Sequence, residues 1–347
     1  MNQNVFNNSG AVTDLFKILR DKSIMKFSSI DEIIGFRRDY NSNIECFKNK
    51  IINEITEEIN NLINENKCFI EDYNKRKIER DSLVMNQIEQ IKTIIQSLNN
   101  GIFKRIRRYL LKKKLNNLES DFDKISEKPL RKYLYKIEEN KNRIAYLTNN
   151  QNEEINKRSK IFLEEMEYIN TELNNLLPLL YGSIGELKAI DLLRKLPNQY
   201  YIINDFRELF NPPLYNKGEN ERIFSTQIDH IVVGPTGVYV IETKYWSQKS
   251  IESKNLFSPI KQLKRGGFAV FIILNDFIRK ERTNMFSKNW GQTKISVSNI
   301  LLMMNSTTNE QFQFVKILTE SNFINYITRR PVILSDEQIK YIVNRFI

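Results

Sequence analysis

The sequence predicts an α/β protein in two parts: a long N-terminal α-helical coiled-coil hairpin, then a C-terminal domain with a mixed central β-sheet flanked by helices. Three observations carry this expectation. Apolar residues step by three and four through a highly polar stretch from Ile44 to Leu98, the narrow seam of a helix that pairs with other helices. Two apolar, β-branched runs flank Gly234-Pro235-Thr236-Gly237, which is turn chemistry between strands. After residue 181, strand-like and helix-like stretches alternate, as a sheet covered by helices requires.

Composition narrows the function classes. With 27% charged and 11% aromatic residues the chain is globular, and 347 residues leave room for one large domain or two. The formal net charge of +11 favours a polyanionic partner, with nucleic acid and an anionic membrane as the two readings. Residues 181–347 carry 22 Lys+Arg against 15 Asp+Glu, a larger excess per residue than the 31 against 27 of residues 1–180. Cys46 and Cys68 have neither metal-ligand spacing nor a disulfide framework, so a reducing, cytoplasmic setting is expected. The opening MNQNVFNNSG lacks an apolar signal core, and no apolar run reaches the roughly 18 residues of a membrane span. The chain has no GxxxxGK[ST] phosphate loop, which argues against an NTP-driven motor. Neither cysteine stands in a nucleophile context, which disfavours a Cys/His hydrolase.

In chain order, residues 1–28 read as weakly structured apart from a short amphipathic piece around Leu15 to Leu19. Ser29 and Glu32 form an S-x-x-E capping box, so a helix is expected to start there. Its seam runs Ile44, Phe47, Ile51, Ile55, Ile59, Leu62, then Ile88, Ile91, Ile95 and Leu98. Asn99-Asn100-Gly101 stops it. Helical patterning returns from Ile102 to about Leu177, with a pause from Ser126 to Pro129. Residues 29–180 therefore read as an antiparallel hairpin folded at Gly101, or as a shorter three-helix bundle where Pro129 ends a helix. The tip, residues 102–114, carries Lys104, Arg105, Arg107, Arg108, Lys112, Lys113 and Lys114 and no acid. Phe103, Ile106 and Leu110 share one helical face there. The tip fits a nucleic-acid-binding patch, a basic amphipathic helix for an anionic membrane, or a solvated helix face.

Pro178 is expected to close the helical region, with Tyr181-Gly182-Ser183 as a hinge and Ser183 capping the next helix. Ile184, Leu187, Ile190, Leu193 and Leu196 give that helix its buried stripe. Tyr200 to Asn204 reads as a strand and Asn211 to Glu221 as a polar loop. The stretch after Lys244 reads as loop or edge strand, and Pro259 suits the first turn of a helix. Ile295 to Asn305 and Phe314 to Leu318 are further strands. Ser335 to Gln338 caps a final helix from Asp336 to Ile347.

The chemistry concentrates in Gln227 to Lys244. Side chains of a strand alternate between faces, so Gln227 and Asp229 share one face of the first strand. Val238, Val240, Glu242 and Lys244 share one face of the second. An amide, two carboxylates and an ammonium can thus converge at one end of a hairpin. A divalent metal held by Asp229 and Glu242 beside Lys244 would compensate acids in a half-apolar setting. The same pattern equally fits an edge hairpin whose charges face water. His230, the only histidine, points the other way and reads as a core residue.

Taken together, Gly185-Glu186, Gln227-Ile228-Asp229-His230, Gly237, Ile241-Glu242-Thr243-Lys244, Trp246 and Pro259 to Gln262 resemble the nuclease-related domain (NERD) family of the PD-(D/E)xK nuclease superfamily. The resemblance covers about residues 181 to 275 and none of the first 180. The family usually has a glycine shortly after the tryptophan, where this chain has Ser247-Gln248-Lys249. The resemblance implies a PD-(D/E)xK-like fold in residues 181–347. It also implies a metal-dependent nuclease that hydrolyses phosphodiester bonds, with DNA favoured over RNA and phage defence or DNA processing as the setting. It assigns Mg²⁺ or Mn²⁺ to Asp229, Glu242 and Glu186. Lys244 would orient or help deprotonate the water, and Gln227 and Gln262 would position substrate. Glu186 also fits a simple capping carboxylate. The reading from another class is a non-cleaving nucleic-acid-binding scaffold, whose coiled coil joins copies of the chain or a partner protein.

Overall fold

The computed structural model describes residues 2–99, 101–253, 256–282 and 295–347. Asn100, expected to help stop the first long helix, lies outside the described residues. The chain divides into two compact units, residues 1–38 with 169–347, and residues 39–168.

The first unit is built on a six-stranded mixed sheet. Its strands are β1 (Val5–Phe6), β2 (Tyr201–Asn216), β3 (Glu221–Gly234), β4 (Gly237–Lys244), β5 (Val297–Met303) and β6 (Val315–Thr319), ordered in space as in sequence. β2, β3 and β4 are antiparallel neighbours, whereas β1 joins β2, β5 joins β4 and β6 joins β5 in parallel. Residues 211–221, expected to be a loop, mostly continue the β2–β3 ladder. The two prolines fall where the register shifts between Leu209 and Leu214, a place where a strand tolerates a missing N–H.

Alternation puts two cores on the two faces of the sheet. On one, Ile231, Val233, Val238 and Val240 pack with Ile260, Leu263 and Val270 of α9 (Phe257–Arg282) and Ile339 and Val343 of α11 (Asp336–Phe346). On the other, Val232, Tyr239 and Ile241 pack with Ala189, Leu192 and Leu193 of α7 (Leu177–Leu193) and Phe323 of α10 (Glu320–Thr328). The capping box of α11 forms as expected, Ser335 Oγ accepting from Gln338 N–H and Gln338 Oε1 from Ser335 N–H. Gly267 lies against Asn299 of β5, and Gly266 against Ile228 of β3; a Cβ at Gly267 would fall 1.9 Å from Asn299 Oδ1. The apolar run GFAVFIIL, residues 267–274, is thus part of a helix pressed on the sheet.

Two expectations for this unit are corrected. Of residues 1–28, expected to be weakly structured, the described ones (2–28) are built into the domain. Val5 and Phe6 pair with Ile202 and Ile203, Asn2 Nδ2 donates to the carbonyls of Pro197 and Tyr200, and α1 (Gly10–Asp21) buries Leu15 and Leu19. Only long-range partners satisfy so short a strand, and local pattern cannot reveal them. The second correction concerns Ser183. It does not cap a helix, because α7 runs unbroken through Tyr181-Gly182-Ser183 and Pro178 sits in its first turn, where no N–H partner is lost. Ser183 Oγ donates to the Leu179 carbonyl one turn back.

The second unit is an antiparallel helical hairpin. α2 (Ile30–Ser97) is one 68-residue helix, about 100 Å long at 1.5 Å per residue. At its start, Glu32 N–H donates to Ser29 Oγ, while the Glu32 carboxylate reaches back to Ser28. The return path is segmented into α3 (Ile102–Ser120), α4 (Phe122–Glu127), a 3₁₀ turn at Lys128–Leu130, α5 (Arg131–Asn149) and α6 (Gln151–Asn175). Breaks fall at Asp121, at the turn holding Pro129 and at Asn150, so the return arm is split more finely than its length suggested. Antiparallel pairing shows in successive contacts: Lys92 with Glu119, Lys77 with Glu127, Glu58 with Arg143, and Phe47 stacked on Phe162. All ten seam residues are buried or half-buried. Midway the seam turns polar at Asn66, whose amide donates to the Ile137 carbonyl. Cys46 and Cys68 are free and exposed.

Candidate active site

The site grows from the open end of the β3–β4 hairpin. A two-residue turn, Pro235-Thr236, pairs Gly234 with Gly237 and fixes the register out to His230 opposite Ile241. There the regular pairing ends. Asp229 Oδ2 accepts the Thr243 N–H at 2.7 Å, so a side chain replaces the next rung of the ladder. One residue before Thr243, Glu242 is 3% exposed, and Lys244 Nζ donates to its Oε1 at 2.5 Å. Strand alternation thus joins Glu242 and Lys244, as expected from their spacing.

Glu186 reaches the same place from α7. Gly185 makes this approach possible, because a Cβ there would lie 2.6 Å from Tyr245 Cβ, just beyond the end of β4. Gly185→Ala is expected to lower stability by about 1–3 kcal/mol, the usual cost of overpacking. Urea unfolding measures it, and an unchanged midpoint would mean that α7 needs no such closeness. The Glu186 carboxylate rests on the N-terminus of α1. Ser9 Oγ donates to Oε2 at 2.6 Å and Ala11 N–H donates to the same oxygen at 3.2 Å. Ser9 also caps α1, accepting from Val12 N–H. The capping role considered for Glu186 on its own helix is therefore replaced by a role between two helices.

Three carboxylates and one ammonium share this space. Burial, then the charge of Asp229, pushes the Glu186 pKa up to about 7. Burial and Asp229 likewise raise Glu242 to about 7, with Lys244 opposing. Asp229 is raised by burial, offset by Lys244 and the Thr243 N–H. Burial works to lower Lys244, but the charges of Glu242 and Asp229 outweigh it, and its pKa stands above the ordinary value. Lys244 is therefore a held cation: it can donate and neutralise, but as a cation it has no free lone pair with which to deprotonate a water. With all four ionised, two negative charges remain unbalanced, and hard carboxylate oxygens suit Mg²⁺ or Mn²⁺. The chemistry of the donors, oxygen with net negative charge, therefore suits a divalent cation. Among the described residues, no three His, Cys, Asp or Glu side chains already form a ready metal cage. Lys244 supplies the local positive charge instead.

Glu186, Asp229 and Lys244 line a cleft of about 840 Å³, together with Tyr181, Tyr245 and Trp246. Ser247 stands where a glycine was expected and opens α8 (Gln248–Ser253); its Oγ accepts the Ser250 N–H and its carbonyl the Ile251 N–H.

The two glutamines are not brought to these acids. Gln227 donates to Asp205 Oδ1 at 2.9 Å, not to Asp229. Gln262 is exposed on α9 and does not line the cleft. Asp205, absent from the sequence expectations, sits where pairing skips from Asn204–His230 to Phe206–Ile228. Its φ of 48° is a left-handed conformation that aspartate tolerates better than most residues. Its charge adds to the burden on Glu186 and Asp229, and Arg207 Nε pairs with it at 2.9 Å. No strand pattern signals such an irregularity. Ser9-Gly10 before an apolar stripe is a helix-start signal that could have located α1.

His230 is a core residue, as expected. It is fully buried, and burial drops its pKa to about 3, so it is neutral at pH 7. Nδ1 lies 2.8 Å from Asn204 Oδ1, and because Asn204 Nδ2 already donates to the Asn7 carbonyl, the ring proton sits on Nδ1.

A half-buried Asp, a Glu-x-Lys on the adjoining strand and a third acid from a neighbouring helix thus meet at one place. Residues 181–296 match the nuclease-related domain family, NERD. The match begins inside α7 and ends just before β5. It takes in Glu186, Asp229, Glu242 and Lys244 and leaves out α1, β1 and the helical hairpin. The comparison with curated proteins and that with solved structures gave no match. The mixed sheet with flanking helices is consistent with a PD-(D/E)xK-like domain, and the nuclease-related domain makes a nuclease-related function the coarse assignment.

Proposed function

We propose that this protein is a metal-dependent nuclease that hydrolyses phosphodiester bonds in DNA. The observation that carries the reading is the set Glu186, Asp229, Glu242 and Lys244, with Glu242 buried and the other three half-buried along one cleft. Asp229 and Glu242, with Glu186, would hold Mg²⁺ or Mn²⁺. When bound, such an ion supplies Lewis acidity toward the phosphodiester and the attacking water. The protein's own part is then clear. The Thr243 N–H fixes Asp229, the N-terminus of α1 and Ser9 fix Glu186, and Gly185 lets the two elements meet. Lys244, held cationic, orients the water through a donated hydrogen bond and offsets the negative charge that grows on the phosphoryl oxygens. Gln227 acts at one remove, by fixing Asp205.

The basic balance of the C-terminal half favours nucleic acid as substrate. A cytoplasmic setting and a role in phage defence or DNA processing complete the proposal, with the coiled-coil hairpin as an arm that joins copies of the chain or a partner protein. Among the described residues, no helix is long and apolar enough to cross a membrane. Incubating the protein with supercoiled plasmid, linear duplex and single-stranded RNA, each with Mg²⁺ or Mn²⁺, tests the substrate. Nicked or shortened DNA and spared RNA are expected. RNA cleaved in preference would move the substrate assignment. Salt-sensitive DNA binding with no cleavage would establish the non-cleaving scaffold instead.

A further inference from the structure

We propose that the tip of the helical hairpin docks on an anionic lipid surface. None of the residues of α3 is buried. Ile102 is 79% and Phe103 88% exposed, and Ile106, Tyr109 and Leu110 are also more than half exposed. At 100° per residue these five fall within about 120° of one helix face. The opposite face is the one that packs, through the half-buried Leu111, Leu115 and Leu118. Arg105 and Lys112 flank the exposed arc on one side, Arg107 and Lys114 on the other, and Lys113 lies within it one turn on. Arg108 turns inward to donate to the Leu98 carbonyl. The helix therefore presents an apolar stripe rimmed by cations, with no acid from Ile102 to Lys114.

Each candidate partner must satisfy both features. Nucleic acid answers the cations through its phosphates but leaves the apolar stripe in water. A second copy of the tip would answer the stripe but set seven cations against seven. A bilayer with acidic headgroups answers both: phosphates meet the rim, and Phe103, Ile106 and Leu110 enter the headgroup–acyl boundary. A contiguous exposed apolar face of this kind is uncommon on a protein surface without a partner. The inference rests on α3 alone and is independent of any cleavage activity.

Sedimentation of the full chain with vesicles tests it. One set is pure phosphatidylcholine and the other contains about one-third phosphatidylglycerol. Binding to the acidic vesicles only is expected. Replacing the stripe (Phe103→Ser, Ile106→Ser, Leu110→Ser) and reversing the rim (Arg107→Glu, Lys113→Glu, Lys114→Glu) should each weaken it at least about tenfold. Because these side chains are exposed, circular dichroism melts of both variants should match the parent. Absence of binding to acidic vesicles would overturn the proposal. So would vesicle binding indifferent to the serine variant, or DNA binding lost on rim reversal in a chain that ignores vesicles, which would make the tip a nucleic-acid patch.

Discussion

Asp229→Ala is expected to reduce metal-dependent cleavage by at least about 10³-fold and Lys244→Ala by about 10²–10³-fold. The two losses differ in kind. Asp229 is half-buried at the cleft, takes the Thr243 N–H and raises the pKa of both glutamates. Its removal takes away a proposed metal ligand and also the end of the β3–β4 register. Lys244 neutralises Glu242 at 2.5 Å. Its removal leaves a buried carboxylate without its cation, so divalent-ion affinity should rise or hold while the rate falls. Titrating Mn²⁺ against rate for both variants separates these effects. A Lys244→Ala variant that cleaves at the parental rate would remove lysine from the chemistry.

The second large effect is in the pH dependence of stability. Glu186 and Glu242 titrate near 7 in the folded chain, against about 4.3 in an unfolded one. A carboxyl whose folded pKa is raised binds more protons folded than unfolded between those values. Metal-free stability therefore falls as pH rises from about 4.5 to about 7, by an amount on the order of a few kcal/mol. His230 works the other way: its folded pKa of about 3 lies below the unfolded value, so it adds stability as pH rises to about 6.5. Asp229, also raised by burial, acts in the same direction as the two glutamates, so the carboxyls outweigh the one imidazole and the net slope from pH 5 to 7 is downward. Glu58 and Glu154, lowered by Arg158, lose their contribution only at more acid pH. Melting temperatures in EDTA should accordingly decline from pH 5 to 7.5, and the double variant Glu186→Gln, Glu242→Gln should lose that decline. Mn²⁺, which meets ionised carboxylates, should raise the melting temperature more at pH 8 than at pH 5.5. A flat EDTA profile, or equal metal stabilisation at both pH values, would contradict this account of the cluster.

Much of the site was legible in the sequence because a strand has a period of two. Given Gly234-Pro235-Thr236-Gly237 as the turn, alternation alone put Glu242 and Lys244 together and turned His230 away. Glu186 was legible only through the family resemblance, since nothing local brings a helix to the end of a strand. The space that Gly185 leaves beside Tyr245 does so. What stayed hidden depends on distant partners. The N-terminal strand is two residues long, and its pairing with Ile202 and Ile203 has no local signature. Asp205 enters the cluster from β2, between the pairs Asn204–His230 and Phe206–Ile228 that bracket Asp229 on β3, and such cross-strand register is not written in local propensity. The long first arm was readable from its seam. The breaks of the return arm at Asp121 and Asn150 were not, because polar residues of these types also occur inside exposed helices.

The most direct test is plasmid cleavage by the full-length parent chain in Mn²⁺, with EDTA and Asp229→Ala alongside. Nicking that requires Mn²⁺ and disappears with either control is the predicted result. An inert parent chain, or cleavage that persists in EDTA or in Asp229→Ala, would contradict a metal-dependent nuclease built on this cluster.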